Sequence, residues 1–451
     1  MTVGVLPSFS YTTQTEQPLQ KQTTSIPPLP TLSALQVTQH AYKGRCYTAQ
    51  THIKAGDIIL QENPYAVIVD SESWTKICSN CMKEPVAGQP QNSIICECQF
   101  VTYCSETCQQ KDSLHQLECK FWTDMKILMQ KSDSTISSWD GYTFDFTRLL
   151  TRVLCQYIFE QKEQERNHNN NHNNNNFKSS NFHHVWSMVS NQDSFSQNQK
   201  DLFLSISSCL SVFLVSYALP AQQMSSQFSW PNESQNRSEY PLFPLSQTNT
   251  TSTVIKPTTT TPPPPPPPLP PTTQSTFPLD QYEAHIPYLL ELIMKEECNS
   301  FGLYTFEYTG SKTHRQPFGL ALHPQAIFFN HSCSPNAGYV SRHGQLIFYA
   351  LQDLNPNDEI CISYLPLEKD NNASSIQRKE YLKKTFFFDC DCERCNNPHF
   401  DDTKLSNNLC FVKDCKGWFV PKSISTVNPS CTSFKDESKR WYCEGCGFER
   451  I

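Results

Sequence analysis

Positive charge is in short supply in this chain. Against 43 Asp and Glu stand 36 Lys and Arg, a formal net charge of −7 over 451 residues. Binding to a nucleic-acid backbone needs a clustered basic surface, so this balance argues against a DNA- or RNA-binding protein, and a basic partner would be a peptide tail. The pattern of a secretory leader is missing too. Met1 to Leu35 is rich in Thr, Gln and Pro, without a basic start, an apolar centre and a small-residue cleavage site. Long apolar runs are nearly absent. The one uncharged stretch of membrane-spanning length, Leu202 to Leu219, carries five serines and only Lys200 as a basic flank, which predicts a buried helix and no membrane binding.

Cysteine is what the chain has in excess, with 21 residues. A disulfide framework belongs to small oxidised domains behind a leader, so thiolates bound to zinc in a reducing, intracellular compartment are expected instead. Cys78, Cys81, Cys96, Cys98, Cys104, Cys108, His115 and Cys119 follow one another within about forty residues. Zinc takes four such ligands in a tetrahedron, so the eight make two complete sites.

Composition divides the rest unevenly. Residues from about Gln161 to Pro278 are dominated by Asn, Ser, Gln, Thr and Pro, and few of them are expected to build a core. Asn169 to Asn176 is a polar tract broken only by His172, and Thr258 to Thr273 contains seven consecutive prolines that favour extended polyproline geometry. Elsewhere Ile58 to Leu60, Ala66 to Val69, Leu346 to Ala350 and Ile360 to Tyr364 are apolar runs between turn residues, and read as short strands. Helical spacing is confined to Phe144 to Gln161 and Gln281 to Cys298, so helices are expected to be few and local. The fold class these elements predict is mainly β with α attachments (α+β).

The eight-ligand run, with Tyr103 before Cys104, resembles the MYND zinc finger. That resemblance interleaves the sites, with Cys78, Cys81, Cys104 and Cys108 on one zinc and Cys96, Cys98, His115 and Cys119 on the other. Cys96 and Cys98 enclose one residue where the family usually has two. Downstream, Asn330-His331-Ser332-Cys333-Ser334-Pro335-Asn336-Ala337, then Glu359-Ile360-Cys361-Ile362-Ser363-Tyr364, then Phe388-Asp389-Cys390-Asp391-Cys392-Glu393-Arg394-Cys395 resemble the SET methyltransferase core and its post-SET loop. With Lys43-Gly44-Arg45 and Asn299-Ser300-Phe301 added, the chain resembles the SET and MYND lysine methyltransferases from Ala41 to Cys395. The implied order is an unstructured segment (1–35), the first part of a SET-type β core (36–73), the inserted MYND finger (74–120), a helical insertion (121–161), a low-complexity insertion with an apolar island near 202–219 (162–280), the second part of the core (281–366), a post-SET zinc loop (367–397) and a candidate zinc ribbon (398–451).

The resemblance implies S-adenosylmethionine as cofactor and methyl transfer to a lysine of a histone or other protein, an in-line displacement that wants a neutral amine in a narrow, dry channel. Tyr364 is then the catalytic hydroxyl and touches the cofactor. Asn330 and His331 hold the adenosyl group, Asn299 and Phe388 complete its pocket, and Lys43, Gly44 and Arg45 meet the methionine end. Cys46 stands where the family motif has its second glycine. Cys333, Cys390, Cys392 and Cys395 form a third zinc set, structural because four thiolates leave no open position. Cys410, Cys415, Cys443 and Cys446 form a fourth candidate, with Gly447 at a tight turn and Cys431 in reserve. Pro267-Pro268-Leu269-Pro270-Pro271 has the Pro-x-Leu-x-Pro form that related fingers bind, so proline-rich peptides are expected finger ligands, and this segment itself reads either as a plain spacer or as an occupant of its own finger's groove. A monomer is expected, in nucleus or cytoplasm. The alternative reading is a catalytically weak scaffold that recruits proline-rich partners, with Cys46 in its favour.

Overall fold

The structure, a computed structural model, describes residues 34–40, 43–83, 93–130, 138–170, 181–219, 228–231, 279–309, 312–365, 373–397, 399–406, 408–413, 415, 417–424 and 440–450. Residues 1–33, the proline tract with Pro267 to Pro271, Cys431 and all of the asparagine tract beyond Asn170 lie outside the described residues.

Short strands open the chain. β1 (Leu35–His40) and β2 (Gly44–Ala49) pair antiparallel, from Leu35 opposite Ala49 to His40 opposite Gly44. Leu35, read from sequence as the end of an unstructured segment, is the buried first residue of β1. β3 (Ile58–Glu62) and β4 (Ala66–Val69) follow, then β5 (Ile94–Ile95) and β6 (Thr102–Tyr103) of the finger. Helices come next: α1 (Glu106–Lys111), α2 (Ser113–Met129), α3 (Gly141–Asn170), α4 (Phe182–Trp186), α5 (Gln197–Phe213, continued by a π turn at Leu214–Ala218), α6 (Leu279–Glu283) and α7 (Ile286–Glu297). The second block holds β7 (Ser300–Thr309), β8 (Lys312–Leu322), a 3₁₀ turn at Ala326–Phe328, β9 (Asn330–His331), β10 (Ala337–Arg342), β11 (Gln345–Ala350), β12 (Cys361–Ile362) and α8 (Ser375–Phe386). β13 (Phe419–Pro421), β14 (Trp441–Cys443) and β15 (Glu449–Arg450) make a C-terminal sheet.

The sheet β4-β8-β7 is a wall between two cores. Side chains alternate across a strand, so Ala66, Ile68, Leu320 and Leu322 face a helical core while Val67, Val69 and Ala321 face a β core. The helical core corrects the expectation of few, local helices. α3 is a 30-residue helix whose Phe146, Leu149, Leu150, Val153 and Leu154 are fully buried at helical spacing, and Asp140 caps it by accepting from the Thr143 amide. Inside the Asn- and Ser-rich stretch, Phe182, Val185, Trp186, Phe195 and Phe203 are also core residues. Polar composition conceals them because the apolar residues are few, although Phe182, Val185 and Trp186 have the spacing of one helical face. The run Leu202 to Leu219 forms α5 and its π turn, set in that core by Phe203, Ile206, Leu210, Phe213 and Leu214. By length and composition alone Gln197–Ala218 is able to cross a membrane, and 56% of its most apolar window is buried here.

Candidate active site and metal centres

Two short parallel strands build the centre. β9 and β12 pair Asn330 with Cys361 and His331 with Ile362, and the Ser332 amide donates to the Ile362 carbonyl (2.9 Å). Residues far apart in sequence are thereby side by side. The Tyr364 amide donates to His331 Nδ1 (2.9 Å), and its hydroxyl donates to the Phe329 carbonyl (2.8 Å). Its ring sits 5.3 Å from that of His331, 5.0 Å from Phe386 and 6.3 Å from Phe388. Burial pushes the Tyr364 phenol well above its usual range. Burial also holds His331 down, to about 4, so the imidazole is neutral. Because Nδ1 accepts, the ring proton is on Nε2, which faces the Cys333 sulfur at 3.2 Å.

Glu359 joins this centre to the β1–β2 turn. One oxygen accepts from Asn330 Nδ2 and the other from Lys43 Nζ, both at 3.0 Å. Burial raises the Glu359 carboxyl, but the hydrogen bonds from Asn330 and Lys43 and the Lys43 charge outweigh it and leave the group below its usual range. Asn336 locks the backbone there, donating to the Glu359 carbonyl and accepting from the Cys361 amide, both at 2.8 Å. Gly44 has φ +75°, and no atom lies within 4 Å of where a Cβ would be, so the turn leaves open space beside Lys43. Arg45 donates to the Ser187 carbonyl (2.6 Å) and lies over the Phe328 ring. Asn299 donates to the carbonyls of Lys295 (2.6 Å) and, in the same loop as Ser187, Val189 (3.3 Å).

The structure thus brings Asn330, His331, Tyr364 and Phe388 together, links Lys43 to them through Glu359, and gathers Arg45 and Asn299 at the loop after α4. Sequence reasoning assigned no role to Glu359, Asn336 or the Phe329 carbonyl. The first two stand inside the quoted motifs; a backbone carbonyl leaves no sequence signal. Cys46 has no left-handed backbone and lies buried with its sulfur 3.3 Å from the Thr38 hydroxyl, so nothing in its conformation calls for glycine.

Beside Tyr364 opens a cavity of about 350 Å³. Phe301, Tyr339, Tyr364 and Phe386 line it together with Trp418 and Phe419.

Each of the four ligand sets read from sequence converges, with every ligand atom within 4.8 Å of its companions. Sulfur pairs lie 3.7 Å apart at Cys81 and Cys104, 3.4 Å at Cys96 and Cys119, 3.5 Å at Cys333 and Cys395, and 3.6 Å at Cys410 and Cys446. Disulfides need about 2.05 Å, whereas tetrahedral Zn–S bonds of about 2.3 Å place sulfurs about 3.8 Å apart. The donor chemistry and the spacing fit zinc in all four sets. His115 Nε2 faces Cys96 (3.2 Å) while Nδ1 meets Glu118 (3.2 Å), the carboxylate support usual for a metal-bound imidazole. Arg152 of α3 pairs with Glu118 (2.5 Å) and with Asp112 (2.6 Å), and the Tyr103 hydroxyl donates to Asp112 (3.0 Å).

The SET domain family profile matches residues 44–365. A SET and MYND domain-containing protein of Dictyostelium discoideum is 28% identical over 434 residues, 92% of this chain and 95% of its own length. A histone-lysine N-methyltransferase of Arabidopsis thaliana is 22% identical over 91% of this chain and 64% of its own length, and one of Homo sapiens is 22% identical over 82% and 63%. The crystal structure of the SET domain of LSMT bound to lysine and AdoHcy aligns at a TM-score of 0.24 and 11% identity, covering 80% of this chain and 54% of that one.

Proposed function

Because the chain belongs to the SET domain family, we propose that it is an S-adenosylmethionine-dependent protein-lysine methyltransferase with Tyr364 at the reaction centre. The observation that carries this reading is the convergence of Tyr364, His331 and Asn330 through the β9–β12 pairing, with Tyr364 lining a cavity able to take a lysine. The residues present suit the cofactor: Lys43 and Arg45 offer cations for a carboxylate beside the open space at Gly44, Asn299 and Asn330 offer amides, and Phe388 offers a ring face. S-adenosylmethionine supplies an electrophilic methyl group when bound.

Tyr364 performs the orientation. Its proton is committed to the Phe329 carbonyl, which leaves the oxygen lone pairs to accept an N–H from the incoming lysine and so aim the nitrogen lone pair. Burial keeps the phenol protonated. Among the described residues the cavity has no charged lining, so entry favours the neutral, nucleophilic amine over ammonium. Glu359 holds Lys43 and Asn330 in place for this chemistry. In the same reading proline-rich peptides dock on the finger, and the protein works as a monomer in nucleus or cytoplasm. Titration with a labelled Pro-Pro-Leu-Pro-Pro peptide, light scattering and imaging of a tagged chain check those three points.

The decisive experiment is calorimetric binding of S-adenosylmethionine with labelled-methyl transfer to histones and cell extract, for the wild type and Tyr364→Phe. Loss of the hydroxyl is expected to reduce transfer about 100-fold or more with cofactor affinity kept. Undiminished transfer by the variant refutes the role of Tyr364, and absence of both binding and transfer in zinc-replete wild type refutes the enzyme.

A further inference from the structure

The C-terminal ribbon is fastened to the SET-type core and completes the cavity beside Tyr364. Val340, Ile347 and Tyr349, on the outer face of β10 and β11, form one apolar cluster with Val420 and Ile424, against which Trp418 and Trp441 also pack. The Tyr349 hydroxyl donates to the Phe419 carbonyl (3.4 Å), and Arg342 donates to the Tyr442 hydroxyl (2.7 Å) and pairs with Glu444. Docked this way, Asn408, Trp418 and Phe419 line the same cavity as Tyr364. Glycine is scarce, 13 residues in all, yet two line this cavity. A Cβ on Gly302 would come within 2.8 Å of the Tyr304 hydroxyl, and one on Gly338 within 2.8 Å of the Tyr349 ring. Those tyrosines lie across bare backbone, and the space above them stays open.

Volume and chemistry together say what enters. A volume of about 350 Å³ is more than one extended lysyl chain fills and lies within the ~300–1,000 Å³ of ordinary ligand pockets. The ribbon residues Asn408, Trp418 and Phe419 line part of that volume. Among the described residues its lining is aromatic, aliphatic and uncharged polar, with no Asp, Glu, Lys, Arg or His, so a charged neighbour of the target lysine would lose its water without gaining a counter-charge. An apolar or aromatic neighbour would gain ring contacts there.

We propose that the zinc ribbon is a substrate-reading wall: Asn408, Trp418 and Phe419 receive the residue next to the target lysine, and the enzyme selects lysines with an apolar or aromatic neighbour over those with a charged one. This rests on the methyltransferase reading, which supplies the lysine. The test uses the full-length, zinc-replete protein and blocked lysine peptides that differ only in the residues flanking the lysine, Leu, Phe, Asp or Arg. Both kcat/KM for methyl transfer and Kd by fluorescence anisotropy are measured. For the wild type, exchanging Leu for Arg is expected to lower kcat/KM and affinity about tenfold, equivalent to about 1.4 kcal/mol. Asn408→Asp, nearly isosteric, places an anion in the wall and is expected to raise the Arg peptide about fivefold relative to Leu. Trp418→Leu is expected to weaken the Phe peptide most. Zinc content and thermal midpoint verify that both variants are folded. Transfer with a ranking blind to the neighbour and unaltered in both variants overturns the ribbon's role and leaves the methyltransferase standing. Anisotropy rankings that follow the neighbour and shift with Asn408→Asp, without transfer to any peptide, remove the enzyme reading and leave the assignment of the wall standing.

Discussion

At the scale of single residues, Glu62 shows how a group remote from the chemistry is tied to it. Its two oxygens accept from the Gln325 and Ala326 amides, both at 2.8 Å. That fixes the turn Ala326–Phe328, and the next carbonyl, of Phe329, takes the Tyr364 hydroxyl. Burial raises Glu62 from 4.5 to about 7, against the opposing pull of those two amides. Between those values the folded chain holds a proton that the unfolded chain releases. The contribution is therefore complete below about 4.5 and is lost as pH rises through about 7. Relative to Glu62→Gln, which does not titrate, the wild type is expected to lose on the order of 3 kcal/mol of stability over that window. Denaturant unfolding of both proteins at pH 5 and pH 8 measures it, and a constant difference contradicts it. Nothing in the sequence marks Glu62, since a glutamate ending an apolar strand looks solvent-facing until the residues near 325 fold over it.

At the scale of elements, the finger is joined to the helical core by charge as well as by packing. Arg152 of α3 lies between Asp112 and Glu118, all three buried. Burial raises the Asp112 and Glu118 carboxyls, but the Arg152 charge and hydrogen bonds to His115 more than offset it in both. Removing one member of such a group leaves the others charged and unpaired, at a cost of about 3–5 kcal/mol. Arg152→Met keeps the volume and is expected to lower stability by that amount, with a loss of zinc affinity at the His115 site; thermal unfolding and zinc release to a colorimetric chelator read both. The eight finger ligands were legible because their spacing is local. Arg152 was not, because it sits 33 residues beyond Cys119 and only the packing of α2 on α3 brings it back. The segment Phe228 to Pro231 was equally hidden. Trp230 stacks on Tyr288 at 5.3 Å and donates to His285 Nδ1 (3.1 Å), but in sequence Phe228 and Trp230 are two aromatics in a polar tract. Trp230→Ala is expected to destabilise the chain by about 3 kcal/mol, and an unchanged thermal midpoint would argue that the contact is loose.

At the scale of the whole molecule, metal clusters connect parts that the chain order keeps apart. Leu346 to Ala350 reads in sequence as an apolar run that makes a short strand. Its inner residues Leu346, Phe348 and Ala350 meet the β core, whereas the partner of Ile347 and Tyr349 is the ribbon some seventy residues on, which no local pattern identifies. Cys333 follows β9, while Cys390, Cys392 and Cys395 follow α8, so this third cluster holds Phe386 and Phe388 around the Tyr364 ring. The four ligand sets that converge among the described residues are expected to hold four zinc ions, a number that elemental analysis of the purified protein measures. Cys390→Ser is expected to bind three, because a hydroxyl replaces one thiolate of a four-thiolate set. Its methyl transfer is expected to fall about 100-fold or more, since catalysis depends on holding the reacting groups to within about an ångström, while the finger, whose ligands are all between Cys78 and Cys119, keeps its two ions. A Cys390→Ser protein that retains four zincs, or that loses one and transfers methyl groups at the wild-type rate, would show that the third cluster does not brace the reaction centre.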